Sequence, residues 1–286
     1  MAAAPSKLAL FARHPARDRE IDGASFRLPL LVYSCDMHMI SVTVALAPLA
    51  DLRAPEGLQP AHLARPGAPE VGVAQLWLND YRDTSIGPYR EVMVSFSVAA
   101  APGARPHLAR NYLAALGPFA DPRCAVLVRW LYLDQPAAID LGRRVWGFPK
   151  VAAALSFAAD PSGRLVHETV DERGRLVLRA DFARERGPAA ALRAVAAMFG
   201  GLGVGTTLRL LGERTHSARA ITPRELQQTR ATVRFQGWVD VFPWRGELRL
   251  GDDAPAARAL RDLGFTPQVV QHMPDVRFVM LDPSPA

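Results

Sequence analysis

The sequence predicts an α+β chain built mostly of antiparallel β-strands with a few flanking helices, and three observations predict it. Residues 125–133 alternate Val126, Val128, Trp130 and Tyr132 with Leu127, Arg129, Leu131 and Leu133. Both faces are mostly apolar, as in a central strand. Residues 150–158, 164–170 and 175–182 form three strand-like segments separated by Asp160-Pro161-Ser162-Gly163 and Asp171-Glu172-Arg173-Gly174, both good turn chemistry for antiparallel neighbours. Helical spacing is confined to short stretches, such as Leu108, Tyr112 and Leu116 along one face of 107–116.

Taken in order, residues 1–24 read as a polar, proline-marked entry segment and 25–286 as one domain. Residues 28–33 are apolar and form a strand whose Pro29 belongs at an edge or a start. Asp36 is placed to cap a helix through Leu46, ended by Pro48, although Val42-Thr43-Val44 is stiff in the way strands favour. Residues 51–70 carry four prolines and two glycines and read as a loop. A strand over 71–78 leads through Asn79-Asp80-Tyr81 and Gly87-Pro88 to a second strand over 92–99. Met93, Ser95 and Ser97 there share a face with Glu91. Gly117-Pro118 stops the helix over 107–116.

In the strand that starts at Lys150, Ala152, Ala154 and Ser156 share the lysine's face and leave a cavity beside its amine. Val151, Leu155 and Phe157 pack on the other face, and a one-residue bulge would exchange the two sets. A helix over 188–199, ended by Gly200-Gly201, precedes strands over 208–211, 230–241 and 247–250. Asp252-Asp253 caps a helix over 254–263 with Gly264 at its C-terminal end, and 276–281 is a last strand. There is no internal repeat.

Composition narrows the function classes. The chain has 286 residues, 49% of them hydrophobic, enough for a substantial core. Cys35 and Cys124 form no CxxC pattern, which fits a reducing compartment. The apolar run 8–12 is too short for a signal-peptide core, and 194–208 is broken by Gly200, Gly201, Gly203 and Gly205. A soluble, cytoplasmic protein without a membrane partner is expected. The net charge is +6 and the pI about 9.9, yet the arginines are scattered beside acids, as in Arg17-Asp18-Arg19-Glu20, so nucleic acid is not the expected partner. Gly201-Leu202-Gly203-Val204-Gly205 lacks the spacing of a phosphate loop. The histidines (14, 38, 62, 107, 167, 216 and 272) show no HxxxH spacing, so neither a metal nor another cofactor is expected. His167, beside Glu168, reads as ordinary surface.

One residue type is out of proportion. Of the 34 Lys and Arg residues, Lys7 and Lys150 are the only lysines. An arginine stays protonated at any working pH, whereas a buried lysine can lose its proton and attack a carbonyl. A lysine at its reference pKa near 10.4 is almost wholly protonated at pH 7, and bringing such an amine to about 6–7 takes roughly 5 kcal/mol. Around position 150, Trp146, Phe148, Pro149 and Val151 supply apolar burial, and Arg143 or Arg144 a neighbouring cation.

The segment from Tyr132-Leu133-Asp134 through Asp140-Leu141-Gly142-Arg143 to Trp146-Gly147-Phe148-Pro149-Lys150 resembles the acetoacetate decarboxylase family, whose Schiff-base lysine follows such a stretch. The resemblance implies a cone- or barrel-like fold and a helix over 36–46. It implies that Lys150 forms the Schiff base and that Glu91, in Tyr89-Arg90-Glu91, orients the lysine or shuttles a proton. It further implies substrate contacts from Arg27 (a shifted candidate), Tyr89, Trp130, Trp146 and Phe148, a small keto-acid substrate and a homo-oligomer. This chain departs from the family pattern in four places. Val151 replaces a second lysine, Arg144 replaces a glutamate, another family glutamate falls near Trp77, and the substrate-binding arginine is displaced. The implied activity is decarboxylation of a β-keto acid such as acetoacetate. A Schiff-base lyase of aldolase-dehydratase or cyclase type is the alternative, and a non-catalytic small-molecule binding barrel a further one.

Overall fold

The computed structural model describes residues 11–51, 59–65, 68–99, 124–183, 208–221 and 228–281. Its strands are β1 (Arg17–Ile21), β2 (Ala24–Leu28), β3 (Leu30–Ala45), β4 (His62–Arg65), β5 (Ala68–Thr84), β6 (Tyr89–Ala99) and β7 (Cys124–Leu133). They continue with β8 (Lys150–Ala159), β9 (Arg164–Asp171), β10 (Leu176–Ala183), β11 (Leu208–Ile221), β12 (Gln228–Pro243), β13 (Gly246–Leu250) and β14 (Thr266–Met280). Among the described residues three helices accompany them: α1 (Leu46–Asp51), α2 (Pro136–Trp146) and α3 (Pro255–Asp262). The helices expected over 107–116 and 188–199 lie outside the described residues.

Twelve strands form one sheet in the order β11-β12-β14-β3-β5-β6-β7-β8-β9-β10-β13, with β4 on β5. Almost every pairing is antiparallel. The exceptions are β7 with β8, and β7 with β11 at Val126–Ala220 and Leu127–Ile221, a contact that curls the sheet back on itself. β1 and β2 pair with each other as a separate hairpin, Arg17 opposite Leu28.

The largest departure from the expected elements is the helix over 36–46. Residues 36–45 are strand, paired with β14 on one side and β5 on the other, and only Leu46 is helical, as the first residue of α1. The burial of β3 is nearly continuous, so it lacks the polar-apolar alternation that marks a half-exposed strand. Ile40, Val42, Thr43 and Val44 are β-branched and fit the pleat better than a helix. Pro48 does not end a helix but falls in the first turn of α1, where its missing N–H leaves no bond unmade.

Because side chains alternate, this doubly covered sheet has two apolar faces. One carries Ile40, Val42, Leu76, Leu78, Val92, Val94 and Phe96 and packs against Leu178, Phe182 and α3. The other carries Cys35, Met37, Met39, Trp77, Tyr81, Tyr89 and Leu131 and is covered by Leu141, Val145 and Trp146 of α2. α2 makes the crossover that the parallel pair β7–β8 requires. The two turns read from sequence form as expected, with Gly163 at φ 82° and Gly174 at φ 73°. Asp252 and Asp253, however, do not cap α3. Its N-cap is Ala254 with no side-chain cap bond, because Pro255 already occupies the first turn. Asp252 pairs with Arg261 instead.

Candidate active site

Lys150 opens β8, beside Leu131 of β7, and the geometry before it fixes where its side chain goes. Pro136 starts α2, and Gly147 ends it in the left-handed conformation at φ 66°. The Phe148 N–H then returns to the Gly142 carbonyl at 3.0 Å, turning the chain directly into β8. Arg143 Nε donates to the Lys150 carbonyl at 2.6 Å, tying the helix to the strand. The lysine stem passes over α2 at Gly142. A Cβ built there would overlap Cδ and Cε of Lys150 and lie 3.0 Å from Nζ.

The amine ends against Glu91. Lys150 Nζ donates to Glu91 Oε2 at 3.1 Å, and the two residues are 7% and 6% exposed, so this is a buried ion pair. The other carboxylate oxygen, Oε1, accepts from Tyr81 OH at 3.2 Å and from Asn79 Nδ2 at 3.4 Å. Three donors therefore surround one carboxylate, the condition under which a buried charge is tolerated. Tyr89, two residues before Glu91 on the same face, stacks on Tyr81 at 4.3 Å and presents its ring 5.9 Å from Nζ. Burial first, and the Glu91 charge second, push both phenols well above their ordinary value, so they stay neutral donors. Further along this face, Trp77 Nε1 and Gln75 Oε1 meet at Ser95 Oγ, and Gln75 Nε2 donates to Ser97 Oγ at 2.8 Å.

The residues expected at the site divide. Lys150, Glu91 and Tyr89 are brought together, and Phe148 is buried beside them in the cluster that includes Tyr89. Trp130 is on the opposite face. It pairs with Val94, one position out of step with Leu131, and packs edge-on against Phe96. Trp146 is 1% exposed, and its ring N–H is bound to the Leu281 carbonyl at 3.1 Å, so it is a core anchor for α2 rather than a substrate contact. Arg27 stands on the β1–β2 hairpin with a side chain 66% exposed, 4.0 Å from Asp18. Arg144 is engaged with Asp140 and the Asp22 carbonyl, and Val151 is exposed on the face away from Lys150. Leu155 and Phe157 pack on that far face as expected, with Ala152 on the lysine's own face, but Ala154 and Ser156 reach solvent rather than lining a cavity.

Local sequence does not single out Asn79 and Tyr81, because the strand pattern over 71–78 stops short of them. β5 runs to Thr84, and its residues 79 and 81 face Glu91 across the β5–β6 ladder, Asn79 opposite Glu91. The signal was present as an i, i+2 spacing matched to Tyr89 and Glu91.

The acetoacetate decarboxylase family model covers residues 15–268. The chain belongs to the acetoacetate decarboxylase family. Solved structures agree on the fold at low identity. An acetoacetate decarboxylase from Legionella pneumophila is similar at 13% identity, with 91% of this chain and 87% of that chain covered and a TM-score of 0.55. An acetoacetate decarboxylase-like enzyme from Sphingomonas wittichii RW1 is similar at 15%, covering 90% and 92%, with a TM-score of 0.53. The enduracididine biosynthesis enzyme MppR, complexed with the condensation product of pyruvate and imidazole 4-carboxaldehyde, is similar at 15%, covering 89% and 87%, with a TM-score of 0.50. No curated protein sequence matches. The members of this family are enzymes acting on small keto acids, and among the described residues no helix is long and apolar enough to cross a membrane.

Proposed function

We propose that this family member is a lysine Schiff-base enzyme that decarboxylates a small β-keto acid. The observation that carries the reading is the Lys150–Glu91 contact: a buried amine 3.1 Å from a carboxylate that Tyr81 and Asn79 hold in place. Proton transfer from Nζ to Oε2 leaves a neutral amine beside a carboxylic acid, with no net charge left in the buried site. The amine adds to the substrate ketone to give a carbinolamine. Glu91 then returns the proton to the departing oxygen, water leaves, and an iminium forms. The electron pair of the bond to the carboxylate moves into this iminium and CO2 leaves. The resulting enamine takes a proton at carbon, and water releases the ketone product and Lys150.

A second reading has its own observation. The cation expected to grip a substrate carboxylate, Arg27, is exposed beside Asp18, and Arg143 and Arg144, the cations expected near Lys150, are bound to a carbonyl and to Asp140. Instead the face beyond Glu91 offers the neutral groups Ser95, Trp77 and Gln75. That favours an iminium used for aldol or dehydration chemistry on a keto acid.

Borohydride reduction in the presence of acetoacetate, a longer β-keto acid or pyruvate tests both. A reduced adduct on Lys150, found by peptide mapping and absent in Lys150→Ala, is the expected result. Release of CO2 from the β-keto acids selects decarboxylation. Adduct without CO2 release selects the second reading. Ligand binding with no adduct from any of these carbonyl compounds, by folded protein, overturns both and leaves a binding barrel.

A further inference from the structure

The sheet that presents Glu91 and Tyr81 on one face carries different chemistry on the reverse. There Asp36, His38 and His272 meet. Asp36 Oδ1 lies 2.7 Å from His272 Nε2 and 3.7 Å from His38 Nδ1, and one ligand atom from each residue lies within 4.8 Å of the others. His38 and His272 are directly opposite across the β3–β14 ladder, with rings stacked at 4.2 Å. His167 reaches them from β9, which pairs with neither strand, and its ring is 5.6 Å from His38 at 59°. All three histidines are buried, and Phe157 and Phe182 flank His167.

The hydrogen bonding around the cluster is incomplete. Both ring nitrogens of His167 are buried without a hydrogen-bond partner. A buried polar group left unpaired costs about 1–3 kcal/mol, so this imidazole calls for a ligand. Imidazole nitrogens with one carboxylate oxygen are the donor set of zinc.

We propose that Asp36, His38, His272 and His167 form a tetrahedral site for one Zn2+ ion, on the face of the sheet behind Lys150. Two imidazoles on one tetrahedral zinc, with Zn–N about 2.0–2.1 Å, hold their ring centroids about 5 Å apart. The His38–His167 separation of 5.6 Å is already close to that. The His38 and His272 rings, now within 12° of parallel, separate by about 1 Å and rotate until both ring planes pass through the ion, which takes the place of the proton between His272 and Asp36. Arg82 Nη2 binds the other oxygen, Oδ2, at 2.6 Å, which leaves Oδ1 turned to the ion and fixes the carboxylate. Among the described residues of this face, Arg90 and Asp80 face each other at 3.7 Å. Four protein ligands make a closed site, so the ion's role is structural, clamping β9 onto β3 and β14.

The test uses full-length protein stripped with a chelator and titrated with Co2+, then Zn2+. The expected result is one equivalent of Co2+ with the intense visible absorption of tetrahedral cobalt, displacement by Zn2+, and a raised melting temperature. His272→Gln and His38→Gln bind about 100-fold more weakly, His167→Phe changes the cobalt spectrum, and Lys150→Ala binds as the parent does. Circular dichroism checks that each variant is folded, and the wild-type cobalt spectrum decides the matter where one is not. Absence of stoichiometric binding by the folded wild type, a weak octahedral spectrum, or undiminished affinity in folded His272→Gln overturns the proposal. The Schiff-base reading is untouched by any of these outcomes.

Discussion

Gly142 and Lys150 share one space: the lysine stem crosses helix α2 where a Cβ at position 142 would overlap Cδ and Cε. Gly142 is helical and carries no positive φ, so glycine here serves the neighbour's side chain and not its own backbone. Alanine at this position favours the helix by about 1 kcal/mol, yet forces the lysine out of its path to Glu91. Gly142→Ala is therefore expected to keep its melting temperature within a few degrees of the parent while losing borohydride-trapped adduct on Lys150. Thermal denaturation and peptide mapping of the trapped protein check both halves.

The carboxylate opposite the amine separates two kinds of contribution. Glu91→Gln keeps the shape but removes the proton acceptor, and is expected to slow adduct formation by about 100- to 10,000-fold. Tyr81→Phe removes only one donor to Oε1 and is expected to slow it about tenfold, the value of one hydrogen bond to a charged group. Single-turnover trapping rates on a keto acid that labels the parent give both ratios.

Trp146 and Arg27 are expected to behave oppositely to substrate contacts. Trp146→Ala empties a fully buried site and breaks the bond to the Leu281 carbonyl, at a cost of about 3–5 kcal/mol in chemical denaturation. Arg27→Ala removes an exposed pair with Asp18, so neither stability nor trapping rate changes measurably.

The buried phenols set an alkaline limit. Tyr81 and Tyr89 hold their protons in the fold well above the ordinary value of 10.0, whereas the unfolded chain releases them near it. The unfolded state thus binds fewer protons above that pH, and stability falls as pH rises. Denaturation midpoints are expected to be level below about pH 9 and to drop from pH 10 upward, less steeply in Tyr81→Phe. Tyrosinate absorbance of the folded protein should show these two rings titrating only on unfolding.

What could be read along the chain was whatever neighbouring residues decide. The turns at 160–163 and 171–174, the alternation of 92–99 and 125–133, the rarity of lysine and the stretch ending at Lys150 are all local, and they were enough for the fold class and the family. Three kinds of feature were not local. Residues 36–45 are strand because β14 and β5 pair with both edges and the two core clusters bury both faces, and double burial erases the alternation that identifies a strand. The face to which Trp130 belongs follows from its register with Val94, and the exposure of Arg27 from its hairpin with Asp18, neither of which spacing along the chain reveals. His38, His167 and His272 looked scattered because they lie on three strands far apart in sequence, and His167, read as surface, is 4% exposed. Sequence by itself determined which groups this protein has for chemistry. The pairing of strands decided which of them meet, because a contact between distant residues depends on ladder register and sheet curl, and both are set by the whole core at once.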